Sequence, residues 1–289
     1  MNSQHDETSD DHSDVPHYSI ERYEIKRTLG SGGMATVMLA FDKIRKEQVA
    51  LKVPMWQPTD KIKKTERRFL REAHAAMAVK HENLCAIYDV GIDGGTFFVA
   101  MEFIDGMTLT ELVQEIGPLP EVDAALLVAS VAEGLAELHR CGMVHRDIKP
   151  DNIMIDSEGR PVVLDFGLAK YFEASEEAGE LTAMDQRVGT PEFMSPEQVM
   201  GEELTPLADV FSLGVVLWSL LCNHSLFEEN LIQVMDQVMD GEYSSPRKHR
   251  PDLSPEMERI CMKSIEYDTT LRYQSMEQFA QDLKALAES

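Results

Sequence analysis

Asp147, Asn152 and Asp165 are three oxygen-bearing side chains whose spacing could manage a divalent cation. Ile153, Met154 and Ile155 follow Asn152, while Val162, Val163 and Leu164 precede Asp165. Residues 156–161, Asp-Ser-Glu-Gly-Arg-Pro, link the two runs. Short apolar β-forming runs around such a link predict a hairpin. In an antiparallel pair the residue before the first strand faces the residue after the second. Asn152 is therefore expected opposite Asp165. A carboxylate and an amide oxygen on a rigid hairpin suit Mg2+, which takes few protein ligands and completes its shell with water and phosphate. Asp147 adds a third oxygen group on the loop entering the hairpin.

Other elements must bring partners to this point. Residues 23–29 and 37–41 read as strands around Gly30-Ser31-Gly32-Gly33-Met34-Ala35, a stretch whose backbone could approach a ligand closely and present N–H groups to phosphate. Residues 48–53 form the next strand, with Val49, Leu51 and Val53 on one face and Ala50 and Lys52 on the other. Residues 61–79 carry Phe69, Leu70, Ala73, Ala76 and Met77 at helical spacing. Both Glu66 and Glu72 lie near that stripe, so periodicity leaves open which carboxylate meets Lys52. Residues 84–90 and 97–103 complete a small sheet. A long helix is predicted over 121–140, with Val122, Ala125, Leu126, Ala129, Ala132, Leu135 and Leu138 as its core stripe. Residues 206–221 are apolar enough for a buried helix, and stripes from Leu231, Met257 and Met276 onward predict more.

Composition narrows the class. The 289 residues are 43% hydrophobic and 27% charged, as in a globular protein with one large domain or two lobes. No apolar run approaches the roughly 20 residues that span a bilayer, and no secretory signal precedes the acidic start. Cys85, Cys141, Cys222 and Cys261 include no C-x-x-C pair, which fits buried thiols in a reducing, cytoplasmic setting. The net charge of −24 repels nucleic acid and anionic membrane. It favours basic partners, although solubility alone accounts for it. Residues 1–19, with Asp6, Glu7, Asp10, Asp11 and Asp14 and few large apolar side chains, are expected to be a disordered leader.

His145-Arg146-Asp147 with Asn152, followed by Asp165-Phe166-Gly167, resembles the catalytic and metal-binding signature of protein kinases. Gly30, Gly32 and Val37 match the glycine-rich loop, where Ala35 replaces the third glycine, and Val49-Ala50-Leu51-Lys52 resembles its lysine strand. From about Tyr23 onward the chain is similar to a eukaryotic-like bacterial Ser/Thr protein kinase. The resemblance implies a bilobal α+β fold: an N-terminal antiparallel sheet plus one helix (20–104), then a mostly helical lobe (105–289).

It also implies roles. ATP would lie against Leu29, Gly30, Gly32, Val37, Ala50, Lys52, Met101 and Met154, with backbone groups of Glu102 and Ile104 holding adenine. Mg2+, or Mn2+ in its place, would sit on Asn152 and Asp165. Asp147 would be the catalytic carboxylate, supported by Lys149, Thr190 and a Lys52–Glu72 pair. Thr182 and Ser175 are candidate phosphosites that Arg146 could clamp. Glu197 is expected to pair with Arg272, and Asp209 to bond the catalytic-loop backbone.

The expected partners are protein Ser/Thr hydroxyls, in basic contexts, and a transient homodimer for trans-autophosphorylation, with no nucleic acid and no membrane. Two rivals share the fold. A pseudokinase scaffold would lack a lysine, catalytic aspartate or metal ligand, and none is missing. A small-molecule phosphotransferase would lack the platform that 189–197 resembles.

Overall fold

In a computed structural model the described residues are 20–32, 35–54, 73, 75–93, 96–165, 191–227 and 231–289. Five strands, β1 (Tyr23–Ser31), β2 (Ala35–Asp42), β3 (Glu47–Pro54), β4 (Ile87–Asp93) and β5 (Thr96–Glu102), form an antiparallel sheet in the order β1-β2-β3-β5-β4. The alternation expected on β3 is present. Val49, Leu51 and Val53 are buried with Met38, Ala40 and Phe98 on one face, while Ala50 joins a different cluster on the other. Residues 73 and 75–78 are helical, which is the described part of the helix expected over 61–79.

At the start of the sheet, the Arg22 guanidinium bonds both Asp42 oxygens and also reaches Asp89. Burial alone would raise the Asp42 carboxyl, but Arg22 and the amides of Ile44 and Arg45 bring it down to about 2.

After β5 the chain runs through a linker, residues 102–106, and β6 (Gly106–Thr108), β7 (Ile153–Asp156) and β8 (Pro161–Val163) make a second sheet in that order. The hairpin forms, but its register corrects the expectation: Ile153 pairs with Val163, Met154 with Val162 and Ile155 with Pro161. Asn152 therefore faces Leu164, whose amide donates to its carbonyl at 2.8 Å. Asp165 lies one step beyond. The cause is the turn, where the Asp156 carboxylate accepts the amides of Glu158 and Arg160 and draws Pro161 into the ladder.

The second lobe is built on α1 (Leu109–Ile116), α2 (Glu121–Arg140), α3 (Pro206–Cys222), α4 (Leu231–Asp240), α5 (Pro255–Ser264) and α6 (Met276–Ala287). Side-chain caps set several starts: Thr108 and Glu111 form a capping box, and Thr205, Ser254 and Ser275 cap α3, α5 and α6. One apolar core contains α2 residues Ala125, Val128, Ala132 and Leu135, α3 residues Leu213 and Leu217, and α6 residues Phe279 and Leu283. Val122 and Leu126, expected in the core stripe, are 44% and 47% exposed. The buried face is instead centred on Ala124, Val128, Val131 and Leu135. No helix among the described residues is long and apolar enough to cross a membrane.

The lobes are stitched together behind the linker. Cys85 N–H donates to Val163 C=O and Val163 N–H donates to Asn83 C=O, both at 2.9 Å, while the Asn83 amide donates to Pro161 C=O at 2.7 Å.

Candidate active site

The segment leading into the hairpin takes its shape from a buried carboxylate. Asp209, on the first turn of α3, is 1% exposed. It accepts the backbone N–H of His145 at 2.7 Å and of Arg146 at 2.8 Å, and lies 2.8 Å from His139 Nε2. Burial pushes its pKa up, but these partners outweigh it and hold the carboxyl below the ordinary range. Arg146 is thereby fixed at φ +73°, a left-handed conformation that costs a non-glycine residue about 1–3 kcal/mol. Its carbonyl accepts from Gln198 at 2.7 Å.

His145 is buried, and its Nδ1 accepts the Asp147 amide at 3.2 Å. The ring proton is therefore on Nε2, which donates to Leu164 C=O at 2.7 Å. One imidazole thus ties the loop to the end of the hairpin.

Asp147 Oδ2 accepts from the Asn152 amide at 2.7 Å and lies 3.0 Å from Lys149 Nζ. Its side chain is 36% exposed, open enough to meet an incoming group. The Asn152 amide nitrogen also donates to the Asp147 carbonyl at 2.8 Å, so its Oδ1 is the atom left to act as an acceptor. Asp165, at φ +60°, turns out of the strand direction and pairs with Lys52 Nζ at 2.8 Å. Lys52 arrives on β3, opposite Val37 on one side and Val99 on the other.

The expected adenine-side residues come together from both lobes. Ala50, Met101 and Ile104 belong to one apolar cluster, and Leu29, Val37 and Met154 pack against it. Gly30 pairs with Val37 across β1–β2, and a Cβ at Gly30 or Gly32 would meet no described atom within 4 Å. Buried Cys85 joins the same cluster, and burial pushes its thiol up. Cys261 is buried as expected, but Cys141 is exposed. Glu72, Ser175, Thr182 and Thr190 lie outside the described residues.

Two expected structural pairs form. Arg272, 1% exposed, bonds Glu197 at 2.9 Å and also donates to the carbonyls of Glu266 and Leu207. The Asp209 network forms too, with His139 and Gln198 as additions the sequence reading missed. Both sit in helices whose apolar spacing says nothing about a polar partner 50 to 70 residues away.

The donor set fits a hard divalent ion held sparsely. No group of three or more His, Cys, Asp or Glu side chains among the described residues forms a metal cage. One carboxylate, from Asp165, and one amide oxygen, from Asn152, are donors of the type Mg2+ accepts, with water and phosphate completing its shell.

Known proteins share this arrangement of sequence. The family described as "Protein kinase domain" matches residues 23–283. The serine/threonine-protein kinase PrkC of Bacillus subtilis is 34% identical over 264 residues, 91% of this chain and 40% of that protein. Serine/threonine-protein kinase pkn3 of Myxococcus xanthus is 33% identical over 273 residues, 92% of this chain and 50% of its own length. PknB of Mycolicibacterium smegmatis is 32% identical over 93% of this chain and 43% of its own length. The chain thus spans half or less of these three relatives. With a family match across nearly its whole length and the bilobal fold described above, this chain belongs to the protein kinase domain family.

Proposed function

We propose that this chain is an ATP-dependent Ser/Thr protein kinase. One observation carries the reading: the Asp147 carboxylate is held between Asn152 and Lys149, at 2.7 and 3.0 Å, and Asp165, just past the hairpin that Asn152 enters, pairs with Lys52 at 2.8 Å. Phosphoryl transfer asks for an aligned nucleophile and compensation of phosphate charge. Asp147 orients a substrate hydroxyl and accepts its proton, while Lys149 stands next to the transferred group. Lys52 binds the phosphates and orients Asp165. ATP lies between the lobes, against the cluster of Ala50, Met101 and Met154, with adenine on backbone groups of Glu102 and Ile104. Gly30 and Gly32 let the backbone of this loop approach the phosphates closely.

Mg2+ is the ion we assign, held by Asp165 and the Asn152 amide oxygen, with Mn2+ as the alternative. When bound it supplies charge neutralisation at the phosphates. Without it, two aspartates beside a triphosphate face about 4 kcal/mol of repulsion per pair at 4 Å and an effective dielectric near 20.

Glu72 completes the Lys52 pair and Thr190 braces the substrate platform. Thr182, or Ser175, is phosphorylated in trans within a transient homodimer, and exposed Arg146 receives the phosphate. The substrates are protein Ser/Thr hydroxyls, with the acidic charge admitting basic sequence contexts, and the setting is cytoplasmic. The lobes divide near residue 104, after an acidic leader over 1–19. Incubation with radiolabelled ATP, Mg2+ and a generic basic protein tests the reading. Label appears on Ser or Thr of the protein with the native chain and is abolished by Asp147→Asn; label on small-molecule acceptors alone, or none, refutes it.

A further inference from the structure

Arg160 lies on the turn between β7 and β8, away from the catalytic residues, and its guanidinium reaches three segments at once. Nε bonds Asp156 of its own turn at 2.9 Å, and Nη1 donates to the carbonyl of Glu82, after the N-lobe helix, at 3.0 Å. Nη2 reaches the Glu102 carboxylate, at the start of the linker, at 3.5 Å. The other Glu102 oxygen accepts the Ala86 amide at 3.3 Å, and the Glu102 amide donates to Ala86 C=O at 2.8 Å. The opposite end of the linker is fastened to the same turn. Ser157 N–H donates to Asp105 C=O at 3.0 Å, and Gly106 pairs with Asp156. Both ends of residues 102–106 are therefore held by one turn, and the strand leading into that turn carries Met154.

We infer that Arg160 is a positioning residue for the nucleotide: its three-way contact sets the height of the linker backbone over Met154, and so the width of the slot that receives a planar base. This rests on the kinase reading above. A planar fork reaches three separated acceptors in fixed directions, whereas a lysine ammonium offers its three N–H donors from a single nitrogen. Asp156 and Arg160 also stabilise each other's charged forms: burial raises the Asp156 carboxyl, but bonds from Arg160 and Glu158 bring it below its usual value.

The test uses the full chain with Arg160→Ala, Arg160→Lys and Glu102→Gln. ATP affinity is read by calorimetric titration with Mg2+, linker opening by amide exchange over 101–106, and turnover by separate kcat and KM. Arg160→Ala weakens ATP binding and raises its KM about fivefold, the scale of one half-exposed charge-assisted contact, while kcat stays within about twofold. Exchange over 101–106 speeds up with it, and Arg160→Lys recovers only part of the affinity. Glu102→Gln shifts affinity the same way by a smaller factor, and adds little on top of Arg160→Ala. A loss of urea stability with ATP affinity and linker exchange unchanged in either Arg160 variant would overturn the inference and leave Arg160 a structural residue. If Arg160→Ala does not fold, unchanged affinity in both Arg160→Lys and Glu102→Gln overturns it equally. Failure of the native chain to bind ATP would refute the kinase reading itself, a distinct result.

Discussion

Replacing Asp209 by Asn tests how the loop that carries Asp147 is held. The substitution keeps size and shape but turns one of two acceptor oxygens into a donor. If the remaining oxygen faces His145 N–H and His139, the new NH2 confronts the Arg146 amide and that 2.8 Å bond is lost. The reverse orientation loses two partners, so the first is preferred. A hydrogen bond to a buried charge contributes about 1.5–3 kcal/mol, and the part-buried Arg146 N–H left facing an NH2 group adds to that loss. Asp209→Asn is therefore expected to destabilise the protein by about 3–5 kcal/mol in urea unfolding, a large part of a typical stability of about 5–15 kcal/mol. The residue that loses its bond is the one at φ +73°. It relaxes, shifting Asp147, and phosphotransfer falls about 100-fold, as expected when reacting groups move by about 1 Å.

The acid dependence changes too. The folded-state pKa of Asp209 is depressed, so its stabilisation is present above the ordinary carboxylate value near 4 and fades as pH falls below it. The Asn variant lacks that component and shows a shallower acid limb. Native-like urea stability, within about 0.5 kcal/mol, together with full turnover would refute this account of the loop.

Three further outcomes are expected. Arg272→Ala leaves Glu197 buried without its partner and lowers urea stability by about 3–5 kcal/mol, whereas Glu197→Gln, which keeps an acceptor oxygen, costs clearly less. Gly106→Ala places a Cβ 2.0 Å from Ile155 C=O and 2.8 Å from Asp156 Cα. Both atoms are backbone and cannot rotate away, so strain of about 1–3 kcal/mol appears in unfolding, with weakened nucleotide binding in titration. Asp42, held down to about 2, contributes stability that is full above pH 4 or so and lost as pH falls toward 2; Arg22→Met removes most of that acid-sensitive component from a pH-resolved unfolding series.

Much of this architecture was legible in the sequence where one physical rule dominated. The alternation of Val49, Leu51 and Val53 against Ala50 and Lys52 gave β3 its faces, and the periodicity of 121–140 matched the helix observed. The Glu197–Arg272 pair came from the resemblance to protein kinases, not from spacing or charge, and it forms. What was not legible depended on competing local or distant contacts. The hairpin register moved by one residue because Asp156 accepts two turn amides, a preference that apolar runs do not encode. Val122 and Leu126 fit helical spacing, yet the face that matters on α2 is chosen by α3 and α6, which arrive late in the chain. The strand Gly106–Thr108 is too short to show a period. Arg160, in a turn of polar residues, reads as solvent-facing until the linker is folded against it.

The backbone stitch between residues 83–85 and Val163 makes those amides an intrinsic gauge. Exchange with deuterated solvent at Cys85 and Val163 requires their donors to leave acceptors across the contact between residues 83–85 and Val163, so these amides report on that contact rather than on the strand ladders around it. Their protection factors therefore track the opening of that contact, and a ligand that clamps the halves together will slow these two amides in step.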